Sequence, residues 1–373
     1  KNMQQMIVIG AGILGASTAY HLAKAGFKVT VIDRQDAGQA TEAAAGIVCP
    51  WLSQRRNKAW YQLAKGGAKY YQQLIPALEA ETDQDTGYKK VGAISLHHDE
   101  TKLEKMIDRA IKRREDAPEI GEIKSYNQEE TRDAFPPLSQ DFQSVYVSGA
   151  ARVDGRKLRK ALLKAAELYG ADIIHGEAFL VSENGQLEGV KVNGELLHAD
   201  KIIVTAGVWA RELLEPIGLN FQVSAQKAQI AHLHVPDTDT SEWSVVQPPT
   251  NHYLLSFEDG KVVVGATHED EHPFNTNVTA GGVLEVLSKA LTVAPGLQAA
   301  TLVETKVGFR PYTPGFLPVI GQVPGYEKLY AANGLGASGL TSGPYLGAQL
   351  AKLVSGEELD IDIALYNIKD AFR

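Results

Sequence analysis

The sequence feature that most constrains the fold is the stretch of residues 6–34. A short apolar run rich in β-branched side chains predicts a buried strand. It ends in Gly10-x-Gly12-x-x-Gly15, which opens an Ala-rich stretch of helical spacing. A second apolar run then ends in Asp33, about twenty residues past the glycines. This order of strand, glycine turn, helix, strand and acid predicts the βαβ unit of a dinucleotide-binding fold.

The glycines and the acid have separate tasks in such a unit. Gly10 permits the tight turn, Gly12 lets the backbone approach a pyrophosphate at the helix N-terminus, and Gly15 lets helix and strand pack closely. Asp33 is expected to accept a hydrogen bond from a ribose hydroxyl. An ordinary βαβ unit without a nucleotide is the alternative, but the complete local context favours a nucleotide site. The motif alone leaves open which dinucleotide binds.

Composition and charge narrow the class of protein. The 373 residues are 44% hydrophobic and 22% charged, which is typical of a soluble globular protein and suggests two domains. The net charge of -8 argues against non-specific binding of nucleic acid, because such binding needs Lys and Arg to neutralise phosphates. We therefore expect a small-molecule substrate and no nucleic-acid partner.

Cysteine usage and hydropathy predict the compartment. The single cysteine, Cys49, cannot form an internal disulfide, cannot build a Cys-rich metal cluster and cannot supply the redox pair of a disulfide reductase. The chain enters its first strand almost at once, and no run of about eighteen apolar residues occurs, so neither a leader nor a spanning helix is expected. These features predict a cytoplasmic protein.

Later segments predict how the sheet is completed and where a second domain lies. The strand at 201–204 ends in a small-residue turn and opens a helix, which predicts a further crossover of the same parallel sheet. From 221 to about 305 the pattern changes to alternating strands, which predict an antiparallel sheet. These strands are expected at 224–234, 252–257 and 261–266. The predicted nucleotide-binding domain comprises residues 1–85, 145–220 and 305–373, and the predicted substrate domain comprises 86–144 and 221–304.

Two stretches of small residues are candidate ligand-facing segments. Residues 35–51 indicate close backbone approach to a flat ligand, and an Ala-rich helix start is the alternative. The glycine run 334–343 follows a short strand and precedes a helix predicted from about Pro344, so its amides can face an electron-rich group. A glycine-rich connecting loop is the alternative for this second stretch.

Two further motifs are candidates for chemistry. Arg310 lies in a rigid, Pro-flanked segment suited to a bidentate grip on a carboxylate, although a lone arginine is more often a member of a structural ion pair. His268-Glu269-x-x-His272 matches the zinc-protease pattern, which requires both histidines on one helical face. Because the motif follows a strand and runs into Pro273, we expect no helix and no metal site there, but an exposed acidic loop or the rim of a pocket.

Taken together, these motifs resemble the glycine oxidase and D-amino-acid oxidase family of FAD enzymes, over nearly the whole chain. The resemblance implies an α/β fold with a discontinuous Rossmann-like FAD-binding domain and an α+β substrate domain built on an antiparallel sheet. The single nucleotide fingerprint agrees with FAD alone rather than with FAD and NAD together. The segments that carry the resemblance are the motif at 10–15 with Asp33-Arg34, and residues 41–47, 205–207, 253–255, 262–267, 308–311 and 317–321.

The resemblance also implies the site residues. Arg310 would hold the substrate carboxylate, Tyr253 would line the same pocket, and Ile47 and His268 would lie at its edge. Residues 336–341 would face the pyrimidine end of the flavin. The implied FAD-contacting residues are Gly10, Gly12, Ile13, Leu14, Gly15, Asp33, Arg34, Thr41, Ala43, Ala44, Ala45, Gly46, Ile47, Thr205, Ala206, Gly207, Arg310, Gly336, Ala337, Ser338, Gly339, Leu340 and Thr341.

The implied reaction is oxidation of the C–N bond of a small amino acid or secondary amine, of the glycine, sarcosine or D-amino-acid class. Hydride transfer to flavin N5 gives an imine that water hydrolyses to a 2-oxo acid. The chain lacks the arginine that glycine oxidases carry near Ala337, which leaves room for larger or secondary amines. It also lacks the late cysteine of members with covalent flavin, so FAD is expected to be non-covalent.

Several alternatives stay open at this point. The electron acceptor is oxygen, or a quinone or other carrier, and the second case would make the protein an amino-acid dehydrogenase acting on a D-amino acid or proline. A homo-oligomer is possible in either case. The competing classes are a zinc metallopeptidase built on His268 and His272, and a flavin-binding protein without turnover.

Overall fold

A computed structural model describes residues 3–271 and 274–373 of the chain. None of the helices in these residues is both long and apolar enough to cross a membrane. The α-helices of this part of the chain are α1 (Ile13–Lys24), α2 (Ala40–Ala43), α3 (Lys58–Thr82), α4 (Glu100–Arg114), α5 (Gln128–Ala134), α6 (Gly155–Leu168), α7 (Ala210–Leu214), α8 (Ala280–Val293) and α9 (Gly339–Ser355).

The strands form four sheets. In chain order they are β1 (Gln5–Ile9), β2 (Lys28–Asp33), β3 (Ala45–Val48), β4 (Ala93–His97), β5 (Ile123–Tyr126), β6 (Gln143–Val147), β7 (Ala151–Asp154), β8 (Asp172–His175), β9 (Phe179–Glu183), β10 (Gln186–Val192), β11 (Glu195–Leu197), β12 (Lys201–Val204), β13 (Ser224–His234), β14 (Val245–Gln247), β15 (Tyr253–Ser256), β16 (Lys261–Gly265), β17 (Thr301–Tyr312), β18 (Val319–Gln322) and β19 (Leu329–Asn333).

A six-stranded sheet carries the N-terminal motif. Its strand order is β18-β19-β12-β1-β2-β8, and all neighbours are parallel except β18 and β19. On β1, Met6 and Val8 face a core shared with α1, α6 and α9, whereas Ile7 and Ile9 face a core shared with the three-stranded sheet β11-β10-β9. Burial on both faces explains why β1 is an uninterrupted apolar run.

Helix α1 packs against α6 and α9, and this packing corrects one expectation. The last helix begins at Gly339 rather than near Pro344. A Cβ at Gly343 would lie 2.7 Å from a side-chain atom of α1, and one at Gly347 would lie 2.6 Å from another. These two glycines let α9 approach α1 closely, so the glycine run continues into a helix and does not need a ligand at every position.

An eight-stranded sheet forms the second layer of the fold. Its order is β17-β13-β16-β15-β14-β4-β6-β5, and its neighbours are antiparallel except β14 and β4. Strand β13 spans Ser224–His234, as the alternation predicted. The predicted fold class is confirmed: a parallel sheet assembled from separated segments is joined to a largely antiparallel one.

The two large sheets draw on alternating parts of the chain. Strands of the six-stranded sheet come from 5–33, 172–204 and 319–333, and those of the eight-stranded sheet come from 93–147 and 224–312. The expected boundary at residue 305 falls inside β17, which belongs to the eight-stranded sheet. We propose that the two sheets mark the FAD-binding and substrate domains.

Candidate active site

One cavity of about 730 Å³ lies at the carboxyl ends of the parallel strands and extends to the eight-stranded sheet. Ligands of open α/β folds bind at this edge of the sheet. The predicted residues that line it are Gly10, Gly12, Ile13, Leu14, Asp33, Arg34, Thr41, Ala43, Ala44, Ala45, Gly46, Ile47, Thr205, Ala206, Gly207, Tyr253, His268, Arg310, Gly336, Ala337, Gly339, Leu340 and Thr341.

Two of the predicted residues lie outside this lining. A Cβ at Gly15 would come 1.8 Å from the carbonyl oxygen of Gly10, so the glycine is required by the close packing of α1 on its preceding strand. The hydroxyl of Ser338 accepts a hydrogen bond from Nε1 of Trp60 at 3.1 Å. Both residues therefore have contacts within the protein.

The N-terminus of α1 opens into the cavity. Gly12 is its N-cap residue and supplies no side-chain cap, the first turn contains no acid, and Gly10 turns the chain with φ +99°. By contrast, α3, α4, α5, α6 and α8 each have a polar N-cap side chain. Helix α9, which starts at the same cavity, also lacks one. The amide of Ile13 donates to the hydroxyl of Thr41 at 3.0 Å, and no side chain of the N-cap residue covers the helix end. Helix N-termini attract anions, so this end of the cavity fits the pyrophosphate of the FAD that the resemblance implies.

Asp33 lies at the end of β2 beside this helix. Its Oδ2 accepts a hydrogen bond from the amide of Ala11 at 2.7 Å, and its Oδ1 accepts from the amide of Gln35 at 2.6 Å and from Nε2 of Gln39 at 2.9 Å. A carboxylate offers about four acceptor sites, which leaves one for a ligand hydroxyl. The side chain is thus fixed in place, and Gln39 is a neighbour that the sequence did not indicate.

Arg34 lines the same end of the cavity but is neutralised by carboxylates. Its guanidinium forms ion pairs with Asp36 at 2.8 Å, Glu212 at 2.7 Å and Glu177 at 3.1 Å. Glu177 and Glu212, which also line the cavity, were missed by the sequence analysis. Glu177 follows β8 of the parallel sheet, whose carboxyl ends meet at this edge, but no motif in the sequence marks it.

The segment of small residues after Arg34 contains a short helix and a short strand. Residues 40–43 form the one-turn helix α2, residues 45–48 form β3, and the segment lines the cavity. The hydroxyl of Thr341 at the start of α9 donates to the carbonyl oxygen of Ile47 at 2.8 Å. A Cβ at Gly46 would lie 2.7 Å from Leu340. The small side chains therefore let this segment and the start of α9 lie directly against each other beside the cavity.

The turn at 205–207 closes the cavity next to the first glycine motif. The hydroxyl of Thr205 donates to the carbonyl oxygens of Ile9 at 3.1 Å and Gly10 at 2.9 Å. Asn333 at the end of β19 donates from Nδ2 to the carbonyl oxygen of Gly207 at 2.8 Å. These hydrogen bonds connect the carboxyl ends of the adjacent strands β1, β12 and β19 at the cavity.

Arg310 reaches the cavity from β17, at the end away from Arg34. Its Nη1 donates to Oε1 of Gln226 at 2.9 Å and to the carbonyl oxygen of Thr267 at 3.0 Å. Among the described residues no carboxylate pairs with it, so it is not a member of a structural ion pair. Burial lowers the pKa of its guanidinium, which Tyr253 and Tyr312 oppose. The Nε and Nη2 donors have no acceptor in the described part of the chain.

Tyr253 stands on β15, where it is in register with Gly265 of β16. A Cβ at Gly265 would lie 2.5 Å from the Tyr253 hydroxyl, so the absence of a side chain there leaves room for the Tyr253 ring. Burial raises the pKa of Tyr253 to about 12, against the opposing effect of Arg310. The phenol is therefore a neutral hydrogen-bond donor across the ordinary pH range.

His268 lines the same cavity as Arg310 and is exposed to solvent. Its Nδ1 lies 3.3 Å from Nδ2 of Asn251. Burial lowers the pKa of His268, with the charges of Arg310 and His252 acting in the same direction. Arg310 is therefore the charged group at this end of the cavity at neutral pH.

The H-E-x-x-H motif does not form a helix over 268–271, and its second histidine, His272, lies outside the described residues. The carboxylate of Glu269 accepts from Thr267 at 2.5 Å and from Gln229 at 3.0 Å. Within 3–271 and 274–373 no group of three candidate ligands could hold a metal ion. The position of His268 on the cavity wall agrees with the expected pocket rim.

Comparison with known proteins gives a consistent result. The family model described as FAD dependent oxidoreductase (DAO) matches residues 5–353. The uncharacterised oxidoreductase YurR of Bacillus subtilis is 61% identical over 366 residues, with 98% of each chain covered. The glycine oxidase of Pseudomonas aeruginosa is 30% identical, covering 97% of this chain and 98% of its own.

A solved structure is similar along the same length. The crystal structure of iminodiacetate oxidase from Chelativorans sp. BNC1 has a TM-score of 0.94 and 44% identity, and the match covers 97% of this chain and 98% of the other. The helix N-terminus at Gly12, the glycine turns and the fixed Asp33 suit the cofactor that the family name specifies. The chain belongs to the DAO family of FAD-dependent oxidoreductases.

Proposed function

We propose that the protein oxidises the C–N bond of a small amino acid or secondary amine whose carboxylate is bound by Arg310. The observation that carries this proposal is the uncompensated charge of Arg310 in the cavity, where no carboxylate of the described residues pairs with it. Arg310 is half-buried, and a guanidinium that is partly removed from water without a counter-ion is costly, so an anionic ligand lowers that cost. The remaining Nε and Nη2 donors have the fork geometry that binds a carboxylate through both oxygens.

FAD, when bound, supplies the two-electron acceptor of this oxidation. The residues proposed to hold it are those of the α1 N-terminus, the turn at 205–207, the segment 40–47 and the start of α9, all of which line the same cavity. Asp33 is proposed to take the ribose through its remaining acceptor site. Non-covalent binding is proposed, since the only cysteine in the sequence is Cys49 and the late cysteine of members with covalent flavin is missing.

Arg310 and Tyr253 are proposed to orient the substrate rather than to exchange protons with it. Holding a reacting bond in a fixed geometry can supply several kcal/mol of the barrier reduction. The acids that line the cavity, Asp33, Asp36, Glu177 and Glu212, lie at the Arg34 end. The substrate amine must then lose its proton to water before oxidation, and the imine product is hydrolysed by water to a 2-oxo acid.

The relatives support an amino-acid or secondary-amine substrate. Glycine oxidase is 30% identical to this chain and iminodiacetate oxidase is 44% identical, and the names of both specify such compounds. Both are named oxidases, which supports oxygen as the electron acceptor here, with a quinone or carrier as the alternative.

The test is anaerobic reduction of the purified flavoprotein. Glycine, sarcosine, N-(carboxymethyl)glycine, D-alanine and the two prolines are added in turn while the visible flavin absorbance is followed. We expect at least one to bleach the flavin, and readmitted air to restore the colour if oxygen is the acceptor. A flavin that resists the whole panel would contradict the proposed substrate class.

A further inference from the structure

A second cavity, of about 380 Å³, adjoins the first at His268. His268 lines both cavities, and Gln226, which accepts the hydrogen bond from Arg310, lines the second one. Arg55 and Asn57 also line the second cavity. A ligand held at Arg310 that extends past His268 therefore enters a space with a second arginine.

Arg55 is held by its surroundings but not neutralised by them. Its Nη2 donates to the carbonyl oxygen of Phe316, and its guanidinium lies 4.7 Å from the centroid of the Trp60 ring. Among the described residues no carboxylate forms an ion pair with Arg55. Burial also lowers its pKa, as it does for Arg310, while Tyr312 acts in the opposite direction.

The backbone segment that precedes Arg55 is held by hydrogen bonds from side chains of α4. Nη1 of Arg113 donates to the carbonyl oxygen of Ser53 at 2.7 Å, and Nη1 of Arg109 donates to that of Leu52 at 3.3 Å. The amide of Arg55 itself donates to the hydroxyl of Ser53 at 3.2 Å. The guanidinium is thus presented from a fixed segment, and a fixed arginine fork loses little freedom on binding an anion.

The acid nearest to this space is already engaged. Oδ1 of Asp270 accepts a hydrogen bond from Nε2 of Gln226 at 3.1 Å. Gln226 therefore turns its amide oxygen to Arg310 and its amide nitrogen to Asp270, and keeps that carboxylate on the side away from Arg310. Arg55 lines a cavity whose other lining residues carry no acidic side chain.

We propose that Arg55 binds a second anionic group of the substrate, so that the preferred substrates are small amino or imino dicarboxylates. This inference rests on the proposed function, because Arg310 is taken to hold the first carboxylate. Arg55 acts on specificity: it raises the affinity for a diacid and does not touch the reacting C–N bond.

Sarcosine and N-(carboxymethyl)glycine form a matched pair for the test, since they differ only by a carboxylate on the nitrogen substituent. The rate of anaerobic flavin reduction and kcat/KM are measured for both compounds with the wild-type protein, Arg55→Gln, Arg55→Lys and Arg56→Gln. Arg56 is exposed, lies outside both cavity linings and carries the same charge, so it controls for a general electrostatic effect.

We expect the wild-type protein to prefer the diacid. In Arg55→Gln the ratio of kcat/KM for the diacid to that for sarcosine should fall about tenfold to a hundredfold, through KM rather than kcat, because a hydrogen-bonded charge is lost. Arg55→Lys should recover part of the ratio, and Arg56→Gln should leave it unchanged. The affinity for malonate, measured by perturbation of the flavin spectrum, should fall relative to that for acetate, whereas general structural damage would weaken both.

Two results would overturn the inference, and they are distinguishable. If sarcosine and the diacid both reduce the flavin and Arg55→Gln leaves their ratio unchanged, the second anion site is wrong and the proposed function stands. If neither these two compounds nor any other amino acid reduces the flavin of the wild-type protein, the proposed function fails and the inference fails with it. Replacing the diacid by aspartate shows whether the second carboxylate is required on the nitrogen or on the side chain.

Discussion

Arg310 and Gln226 are cross-strand partners on β17 and β13, and Nη1 of Arg310 donates to Oε1 of Gln226 at 2.9 Å. The pair places a full positive charge in the cavity and fixes its direction with a neutral partner. An acidic side chain in place of Gln226 would form an ion pair with Arg310 and neutralise its positive charge. The uncharged amide therefore keeps Arg310 available for an anionic ligand.

Gln226→Glu tests this relationship. The new carboxylate should pair with Arg310 and also lie near Asp270, so binding of a carboxylate substrate should weaken. Loss of one hydrogen bond to a charged group corresponds to about a tenfold to hundredfold rise in KM. Gln226→Leu, which only removes the hydrogen bond, should cost less than Gln226→Glu. Steady-state KM values that are equal in all three proteins would contradict the role of the neutral partner.

Gly12→Val should give a folded protein without flavin. A Cβ at residue 12 comes no closer than 3.4 Å to a neighbouring atom, so the first carbon of the new side chain fits beside Thr41. The branched side chain would, however, stand at the N-terminus of α1, where the pyrophosphate is expected to bind. Visible absorbance of the purified protein reports the FAD content, and circular dichroism reports folding. Full FAD occupancy in this variant would rule out the pyrophosphate position.

Gly347→Ala should destabilise the protein by about 1–3 kcal/mol, the usual cost of overpacking a tight contact. Its Cβ would lie 2.6 Å from Ser17 and 2.9 Å from the carbonyl oxygen of Leu14, where α9 crosses α1. Gly281→Ala is the matched control, because this glycine is also helical but its Cβ would meet no atom within 4 Å. The control should be neutral or slightly stabilising, since Ala favours helices over Gly. Equal midpoints of chemical denaturation for the two variants would contradict the packing argument.

His232 should make stability dependent on pH. Burial, with the charges of Lys306 and Lys261, lowers its pKa from 6.5 to about 4 in the folded protein. The unfolded chain therefore takes up a proton near pH 6.5 and the folded chain only near pH 4. Stability is lost as the pH falls through this window, by up to about 1.4 kcal/mol per pH unit.

The variant His232→Leu should lose less stability between pH 6.5 and pH 4 than the wild-type protein does. His198→Gln, at an exposed position, serves as the control and should follow the wild-type curve. Free energies of unfolding from denaturant titrations at pH 7, 6 and 5 provide the comparison. Parallel curves for the wild-type protein and His232→Leu would exclude this histidine as the source.

The sequence predicted the fold well where the physical signal is local. The βαβ unit at 6–34 and the strand β13 were predictable because burial leaves a period in the sequence that needs no knowledge of distant contacts. The start of α9 was not predictable from the sequence. Gly343 and Gly347 are tolerated in this helix because they contact α1, which lies far away in the chain.

In the candidate active site, too, local features were predictable and contacts between distant residues were not. The glycine turns could be located from their spacing, whereas the neutral partner of Arg310 lies 84 residues away and is brought to it by strand register. The ion pairs of Arg34 with Glu177 and Glu212 likewise depend on which strands become neighbours. Arg55 had no recognisable motif around it, and only the shape of the second cavity indicates its role.

The measurement that tests the central claim most directly is anaerobic flavin reduction of Arg310→Leu beside the wild-type protein. The variant should retain its FAD, because the α1 N-terminus and the glycine turns are untouched, but a carboxylate substrate should no longer bleach it at a comparable rate. Arg310→Lys should show an intermediate rate, since a lysine keeps the positive charge but cannot bind both carboxylate oxygens as a guanidinium does. If Arg310→Leu is reduced by the same amino acid with wild-type affinity and rate, the carboxylate is not held by Arg310, and the proposed function loses its main support.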